Sequence, residues 1–345
     1  AAQLVAEEYR VRHRWGDKPS RETIAQQYPE CASSALLDRV DRELALEAGP
    51  RPGPAPGASH PLASLPKTAA AVFDPRAPLS YRDFTLQRML GAGAAGKVYR
   101  AWQHSRQRPV AVKFLRKEFQ ESTAAVQRFL EEAHIVARLQ HPGIVAIHGA
   151  GRTPAGRYFL VMDYVAGNDL SCATREASAA DAAGWVAQAA AAIEHAHRCQ
   201  VVHCDLKPGN LLRDADGRIH VTDFGLARRL DDPALRPGEL EGTAAFMAPE
   251  QIAGCWGRVG PATDVFGLGA VLYALLTGQP PHPGTRVADI LARAISPQPV
   301  PLLRDVRPGI DERLETVCRR CLAKNSRERY ATAAEVAAAL GAIRA

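Results

Sequence analysis

The segment LGAGAAGKVYRAW, residues 90–102, sets Gly91, Gly93 and Gly96 in a GxGxxG spacing. Such glycines let backbone N–H groups come close to phosphate oxygens, but two unrelated architectures use the spacing. The residues that follow decide between them. A dinucleotide-binding unit needs a helix directly after the glycines, its N-terminus facing the pyrophosphate. Here KVYRAW alternates with the period of a strand. The loop therefore joins two strands and folds over phosphates as a flap.

Around this loop the chain divides into three sections. Residues 1–48 read as a small helical module: Ser20 and Thr23 open a helix that Pro29 ends, and Leu36, Leu37, Val40 and Leu44 follow at helical spacing. Residues 49–80 are rich in proline, alanine and glycine, with too few large apolar residues to bury, so an extended linker is expected. From 81 to 165 short strands dominate (FTLQRML, GKVYRAWQ, RPVAVKFL, VAIHGAG, YFLVMDYV), interrupted by one helix, STAAVQRFLEEAHIVARL. From 166 to 345 helices take over, including AADAAGWVAQAAAAIEHAHRC and TDVFGLGAVLYALLTG. A sheet-rich lobe joined to a helical lobe predicts an α+β fold with a cleft between its parts.

The bulk numbers exclude several classes. A length of 345 residues, 46% hydrophobic and 23% charged, suits a globular protein with a sizeable core. The net charge of +6 is spread along the chain without a basic, aromatic-studded stripe, so no nucleic-acid partner is expected. No apolar run approaches the roughly 20 residues that span a bilayer, and no signal peptide is evident. Seven cysteines in irregular positions favour reduced, packed thiols and a cytoplasmic setting; a membrane anchor in a longer parent chain stays open. The pair Cys318 and Cys321 lies in a helical pattern without further ligands nearby, so helix packing is expected there rather than zinc.

The chemistry-bearing residues follow the loop in order. Lys113 sits in the strand VAVKFL behind Ala111, small enough to admit a flat purine. A phosphate-binding lysine needs an anion to hold it, and the next helix offers Glu131 and Glu132; Glu132, followed by alanine, is the choice. In HCDLKPGN, Asp205 is the candidate general base, Lys207 offsets charge on a moving phosphoryl group, and Asn210 offers an amide oxygen to a cation. Asp223 of VTDFGLA supplies a second oxygen. Two protein oxygens completed by phosphate and water suit magnesium, with manganese as a substitute. His195, His197, Cys199, His203 and Cys204 crowd together, but residues two apart on a helix face opposite sides, so a core role is expected for the histidines.

In this order and spacing, the glycine loop, VAVK, the helix glutamate, HCDLKPGN, DFG, GTAAFMAPE and DVFGLG resemble the protein kinase family, in its eukaryotic-like serine/threonine form found in bacteria, over about three quarters of the chain. The resemblance implies a bilobal fold, with a five-stranded antiparallel sheet and one helix in the N-lobe, and transfer of the γ-phosphoryl group of Mg-ATP to serine or threonine hydroxyls of protein substrates. It implies that Lys113 contacts the α- and β-phosphates and pairs with Glu132. Met162 would gate the adenine pocket, the backbone of Asp163 and Val165 would bond the base, and Leu90, Val98, Ala111 and Leu212 would sandwich it. Thr243 would bond Asp205 and Lys207, Glu250 would pair with Arg329, Asp264 would hold the catalytic loop from below, and His203 would pack under Phe224. Rival readings are a nucleotide-binding scaffold without turnover, which the full set of catalytic residues opposes, and a small-molecule phosphotransferase, which the peptide-docking GTAAFMAPE opposes.

The sequence departs from the family at Cys204. Many kinases carry an arginine there, held by a phosphate on the activation segment between DFG and APE. A thiol cannot pair with that phosphate. The segment LARRLDDPALRPGELEGTAAFM, residues 226–247, contains no serine or tyrosine, and Thr243 is its one threonine. These two absences agree, and predict a kinase that works without activation-segment phosphorylation, its segment ordered instead by acids such as Asp231, Asp232, Glu239 and Glu241. Ala95 at the loop tip, Ser326 before Arg329, and Gly209 where some relatives select basic peptides are lesser departures.

Overall fold

The structure is a computed structural model describing residues 6, 9, 20–27, 34–47, 79–92, 96–120, 122–174, 177–224, 228–229 and 244–344. Among the described residues the first helices with stated bounds are α1 (Arg21–Gln27) and α2 (Ser34–Glu47). The Thr23 N–H donates to Ser20 Oγ at 3.2 Å, the expected N-terminal cap. Arg21 bridges to Asp38 and Asp41 across the pair, while Ile24, Leu37 and Val40 are buried with Ala6 and Tyr9.

The N-lobe contains β1 (Leu79–Ser80), β2 (Phe84–Ala92), β3 (Gly96–Gln103), β4 (Arg108–Leu115), α3 (Thr123–Val136), β5 (Ile147–Arg152) and β6 (Tyr158–Asp163). They form one sheet of six strands in the order β1-β5-β6-β4-β3-β2. Five strands, all antiparallel, were expected; the sixth, β1, lies in the range assigned to the linker and pairs parallel to β5. Missing side chains on β5 make this possible. A Cβ at Gly151 would lie 2.4 Å from the Leu79 carbonyl oxygen, and one at Gly149 would lie 2.9 Å from Leu79 Cδ1. Leu79 and Ser80 are too short a pair to show a strand period, so only the glycine edge reveals them. The rest of the linker lies outside the described residues.

The helical lobe follows as β7 (Gly167–Asp169), α4 (Ala179–Arg198), β8 (Val201–Val202), β9 (Leu211–Asp214), β10 (Ile219–Val221), β11 (Arg228–Arg229), α5 (Pro249–Ile252), α6 (Pro261–Thr277), α7 (Val287–Ile295), α8 (Leu303–Val306), α9 (Glu312–Cys321) and α10 (Ala333–Arg344). Helix α6 is apolar on every side and buried from Thr263 to Thr277, as a helix at the centre of a lobe must be. Pro261 opens it and Gly278, at φ +73°, ends it in the left-handed conformation. Cys318 and Cys321 are buried on α9, and Cys318 Sγ lies 3.7 Å from the Gly269 carbonyl of α6: the CxxC is packing.

One buried group works against the lobe. His282 stacks on Phe266 of α6, its Nε2 has no hydrogen-bond partner among the described residues, and burial beside Lys324 and Arg293 depresses its pKa to about 3. Because the unfolded imidazole still titrates near its ordinary 6.5, the unfolded state binds more protons between those values. Stability is therefore full above pH 6.5 and declines as pH falls below it. His282→Phe should remove that decline and the orphan nitrogen, with a gain of about 2 kcal/mol at pH 5. Melting curves of both proteins across pH 5–8 check this; parallel curves would refute it.

Candidate active site

Strand register builds the N-lobe half of the site. Ala111 and Lys113 share one face of β4, Val98 of β3 stands opposite Lys113, and Met162 of β6 stands opposite Ala111. These four side chains therefore line one patch of sheet. Val98, Val165 and Leu212 are partly buried at the edge of the main core, which runs continuously from this sheet into the helical lobe. Leu90 is exposed at the end of β2, and Gly91 next to it has no atom within 4 Å of a Cβ built there. Asp163 turns its N–H back to the Ala146 carbonyl at 3.0 Å, so any base contact from this residue falls to its carbonyl. Its side chain is held by His148 Nε2 at 2.7 Å, and that bond keeps the carboxyl below the usual range.

The decisive contact crosses the cleft. Lys113, buried on β4, donates from Nζ to Asp223 Oδ1 at 2.7 Å, joining residues 110 positions apart. The ammonium holds the Asp223 carboxyl below its ordinary range, with lesser help from Lys207 and His203. Asp223 is thus an ionised oxygen donor. Beside it, Lys207 Nζ donates to Asp205 Oδ2 at 2.7 Å, and Asn210 Nδ2 reaches the same oxygen at 3.1 Å and the Asp205 carbonyl at 2.7 Å. Two donors on one oxygen fix the plane of the carboxylate. The Asn210 amide, its nitrogen committed to Asp205, presents its oxygen on the other side.

Among the described residues no group of three or more His, Cys, Asp or Glu could hold a metal by itself. Asn210 and Asp223 offer two oxygens close to two ammonium groups. That donor set fits a hard cation arriving with phosphate oxygens of its own, and not a resident zinc.

Below the loop, the Asp264 carboxylate, in the first turn of α6, takes the N–H groups of His203 (2.8 Å) and Cys204 (2.9 Å) and His197 Nε2 (2.8 Å). His203 Nδ1 accepts from the Asp205 N–H at 3.2 Å, so its Nε2 carries the proton given to the Thr222 carbonyl at 3.1 Å. Its ring lies 4.5 Å from that of Phe224. Cys204 and Asp223 both adopt left-handed backbone, at φ +66° and +63°. Each costs on the order of 1–3 kcal/mol for a residue other than glycine, strain that only a surrounding frame sustains. Glu250 and Arg329, both fully buried, form a two-pronged ion pair at 2.6 and 2.8 Å.

Gly93 and Thr243 lie outside the described residues, as do the side chain of Glu132, the tip residue Ala95 and the acids Asp231, Asp232, Glu239 and Glu241. Glu131 is exposed on α3. His197, expected as a core histidine, is buried and is also a partner of Asp264, while Gln251, whose amide reaches the Cys204 carbonyl at 2.8 Å, escaped the sequence reading. For Gln251 half a signal existed: a glutamine at the third helical position can reach back to the N-cap N–H, although Ala248 lacks the hydroxyl that completes a capping box.

Comparison with known proteins accords with this geometry. Residues 84–339 match the protein kinase domain. Serine/threonine-protein kinase PknA of Mycobacterium tuberculosis is 35% identical over 274 residues, covering 76% of this chain and 61% of the relative. PknJ of the same organism is 36% identical over 270 residues, covering 76% and 45%. The chain thus spans only about half to three fifths of the length of these relatives. The crystal structure of the Mycobacterium tuberculosis PknI kinase domain superposes with a TM-score of 0.61 at 27% identity, covering 77% of this chain and 98% of that one. With its six-stranded sheet, its helical lobe and the Lys113–Asp223 contact between them, the chain belongs to the protein kinase family.

Proposed function

We propose that this chain is a serine/threonine protein kinase, transferring the γ-phosphoryl group of ATP to hydroxyls of protein acceptors. The single observation that carries this is the Lys113–Asp223 contact across the cleft, beside a carboxylate fixed by Lys207 and Asn210. In this reading the Val98, Ala111 and Met162 patch, with Leu90 above and Leu212 below, receives the purine, while Asp163 and Val165 bond its edge. Lys113 meets the α- and β-phosphates and Gly91, Gly93 and Gly96 cover them. Asn210 and Asp223 would hold magnesium, which would neutralise charge on the phosphates. Asp205 accepts the proton of the attacking hydroxyl, a step that a positioned carboxylate accelerates by about 10²–10⁴-fold. Lys207 faces the same charge from the acceptor side and Thr243 supports both. Glu132 would steady Lys113. A cytoplasmic location is part of the proposal; no disulfide joins the described cysteines, and no helix among the described residues is long and apolar enough to cross a membrane.

Incubation with Mg-ATP labelled at the γ-phosphate and a generic basic protein should place label on serine and threonine. Nucleotide binding without transfer would favour the scaffold reading and overturn this one. The Cys204 backbone supports independence from activation-segment phosphate, because its N–H and carbonyl are held by Asp264 and Gln251, neither of which needs a phosphate. Phosphatase treatment, followed by a phosphosite map, should leave kcat within about twofold, far inside the tenfold that 1.4 kcal/mol of barrier represents. A large loss on dephosphorylation of the segment would defeat the idea.

A further inference from the structure

Gln251 is the third residue of α5, and its Oε1 accepts from the Ala248 N–H at 2.9 Å. That bond is the reach-back half of a capping box and would account for a glutamine here by itself. The other end of the side chain does what a cap does not require. Its Nε2 donates to the Cys204 carbonyl at 2.8 Å, 47 residues earlier in the chain. One planar amide thus links the end of the activation segment to the residue directly before Asp205.

The location gives the link its consequence. Cys204 is in the left-handed conformation at φ +66°, and its N–H is fixed from below by Asp264 Oδ1 at 2.9 Å. Gln251 holds the opposite end of the same residue. Both ends of the strained residue are thus tied directly before Asp205, whose carboxylate and carbonyl meet Lys207 and Asn210. A neutral amide does this without the desolvation cost of a charge pair and without a covalent modification.

We propose that Gln251 is a positioning residue for phosphoryl transfer, its amide bridging Ala248 and Cys204 as a constitutive substitute for a phosphate–arginine contact between the same two segments. The inference rests on the reading of Asp205 as general base, so its test has one arm that needs no activity. Cys204 is only partly shielded from solvent, whereas Cys172 and Cys199 are exposed and serve as internal controls. In Gln251→Met, similar in length but unable to bridge, alkylation of Cys204 followed by peptide mass spectrometry should quicken about fivefold, as loss of roughly 1 kcal/mol of hydrogen bonding implies, with the controls unchanged. In steady-state kinetics the same variant should lose about tenfold in kcat while KM for ATP stays within about twofold, because the nucleotide patch is untouched.

Gln251→Glu separates bridge from cap. A carboxylate still accepts from Ala248 but opposes the Cys204 carbonyl, and becomes a donor again only when protonated. Its activity relative to the unaltered protein should therefore climb as pH falls from 8 toward 5.5, whereas a plain cap predicts a constant ratio. Unchanged alkylation of Cys204 in Gln251→Met, or an unchanged kcat, would overturn the proposal. An unaltered protein that binds nucleotide yet transfers nothing would sink the kinase reading alone, and the alkylation arm would still decide the bridge.

Discussion

Asp205→Ala should abolish most phosphoryl transfer, lowering kcat by about 10²–10⁴-fold, the usual contribution of a positioned general base. The structure explains why the loss should reach the upper part of that range. Asp205 Oδ2 also anchors Lys207 Nζ at 2.7 Å and Asn210 Nδ2 at 3.1 Å, so truncation releases a cationic group and an oxygen donor together with the base. Asp205→Asn retains the shape and tests the proton acceptor more narrowly. In both variants nucleotide affinity measured without magnesium should hold within about threefold, because Ala111, Lys113 and Met162 belong to the other lobe and Leu212 takes no part in Asp205's hydrogen bonds. A selective effect on kcat is what removal of a transition-state interaction produces. Titration with a fluorescent ADP analogue beside initial-rate measurements checks both halves. A variant within tenfold of the parent rate would remove Asp205 from the mechanism.

Arg329→Ala should cause the largest loss of stability. The guanidinium is wholly buried and donates to Glu250 Oε1 and Oε2 and to the carbonyls of Ala323, Ala262 and Lys324, at 2.6 to 3.1 Å. Removing it leaves a buried carboxylate, held otherwise by Thr263 Oγ1 at 2.9 Å, without its counter-ion. Breaking one side of a buried pair costs about 3–5 kcal/mol, which for a domain of this size lowers Tm by roughly 10 °C. The pair also ties α5 to the start of α6, the two helices that carry Gln251 and Asp264, so loosening there should reach the Cys204 turn. Replacing both partners with apolar residues of similar volume should cost less than Arg329→Ala, because it leaves no buried charge without a counter-ion. Calorimetry on the two single variants and the double variant forms the cycle; a drop under about 3 °C for Arg329→Ala would mean that the network carries little.

Much of the candidate site's geometry could be read from the sequence, because the family's motifs are concentrated in short contiguous runs. Asp205, Lys207 and Asn210 lie within six residues, so their mutual geometry is largely a property of one loop. Lys113 and Ala111 were legible for a related reason: a strand sends alternate residues to one face, so a two-residue spacing fixes shared orientation. The helices α4 and α6 were readable from length and composition. Where the reading fell short, the cause was non-local. Strand β1 has two residues and no period; it exists because Gly149 and Gly151 leave room on β5. His197 looked like one member of a histidine cluster, and only the packing of α4 against α6 gives it Asp264.

Sequence alone determined which atoms are available for chemistry: an amine on a strand, carboxylates and an amide on two loops, glycines before a strand rather than a helix. It also determined that Cys204 cannot pair with a phosphate, since charge is a property of the residue. Tertiary structure alone decided how the left-handed turns at Cys204 and Asp223 are held, because strain of that kind survives only where distant groups oppose it. Asp264 from α6 and Gln251 from α5 do so at Cys204 through backbone atoms. The family resemblance assigned Asp264 to the catalytic loop, but backbone groups are the same in every residue, so which of them Asp264 and Gln251 take is visible only in the tertiary structure.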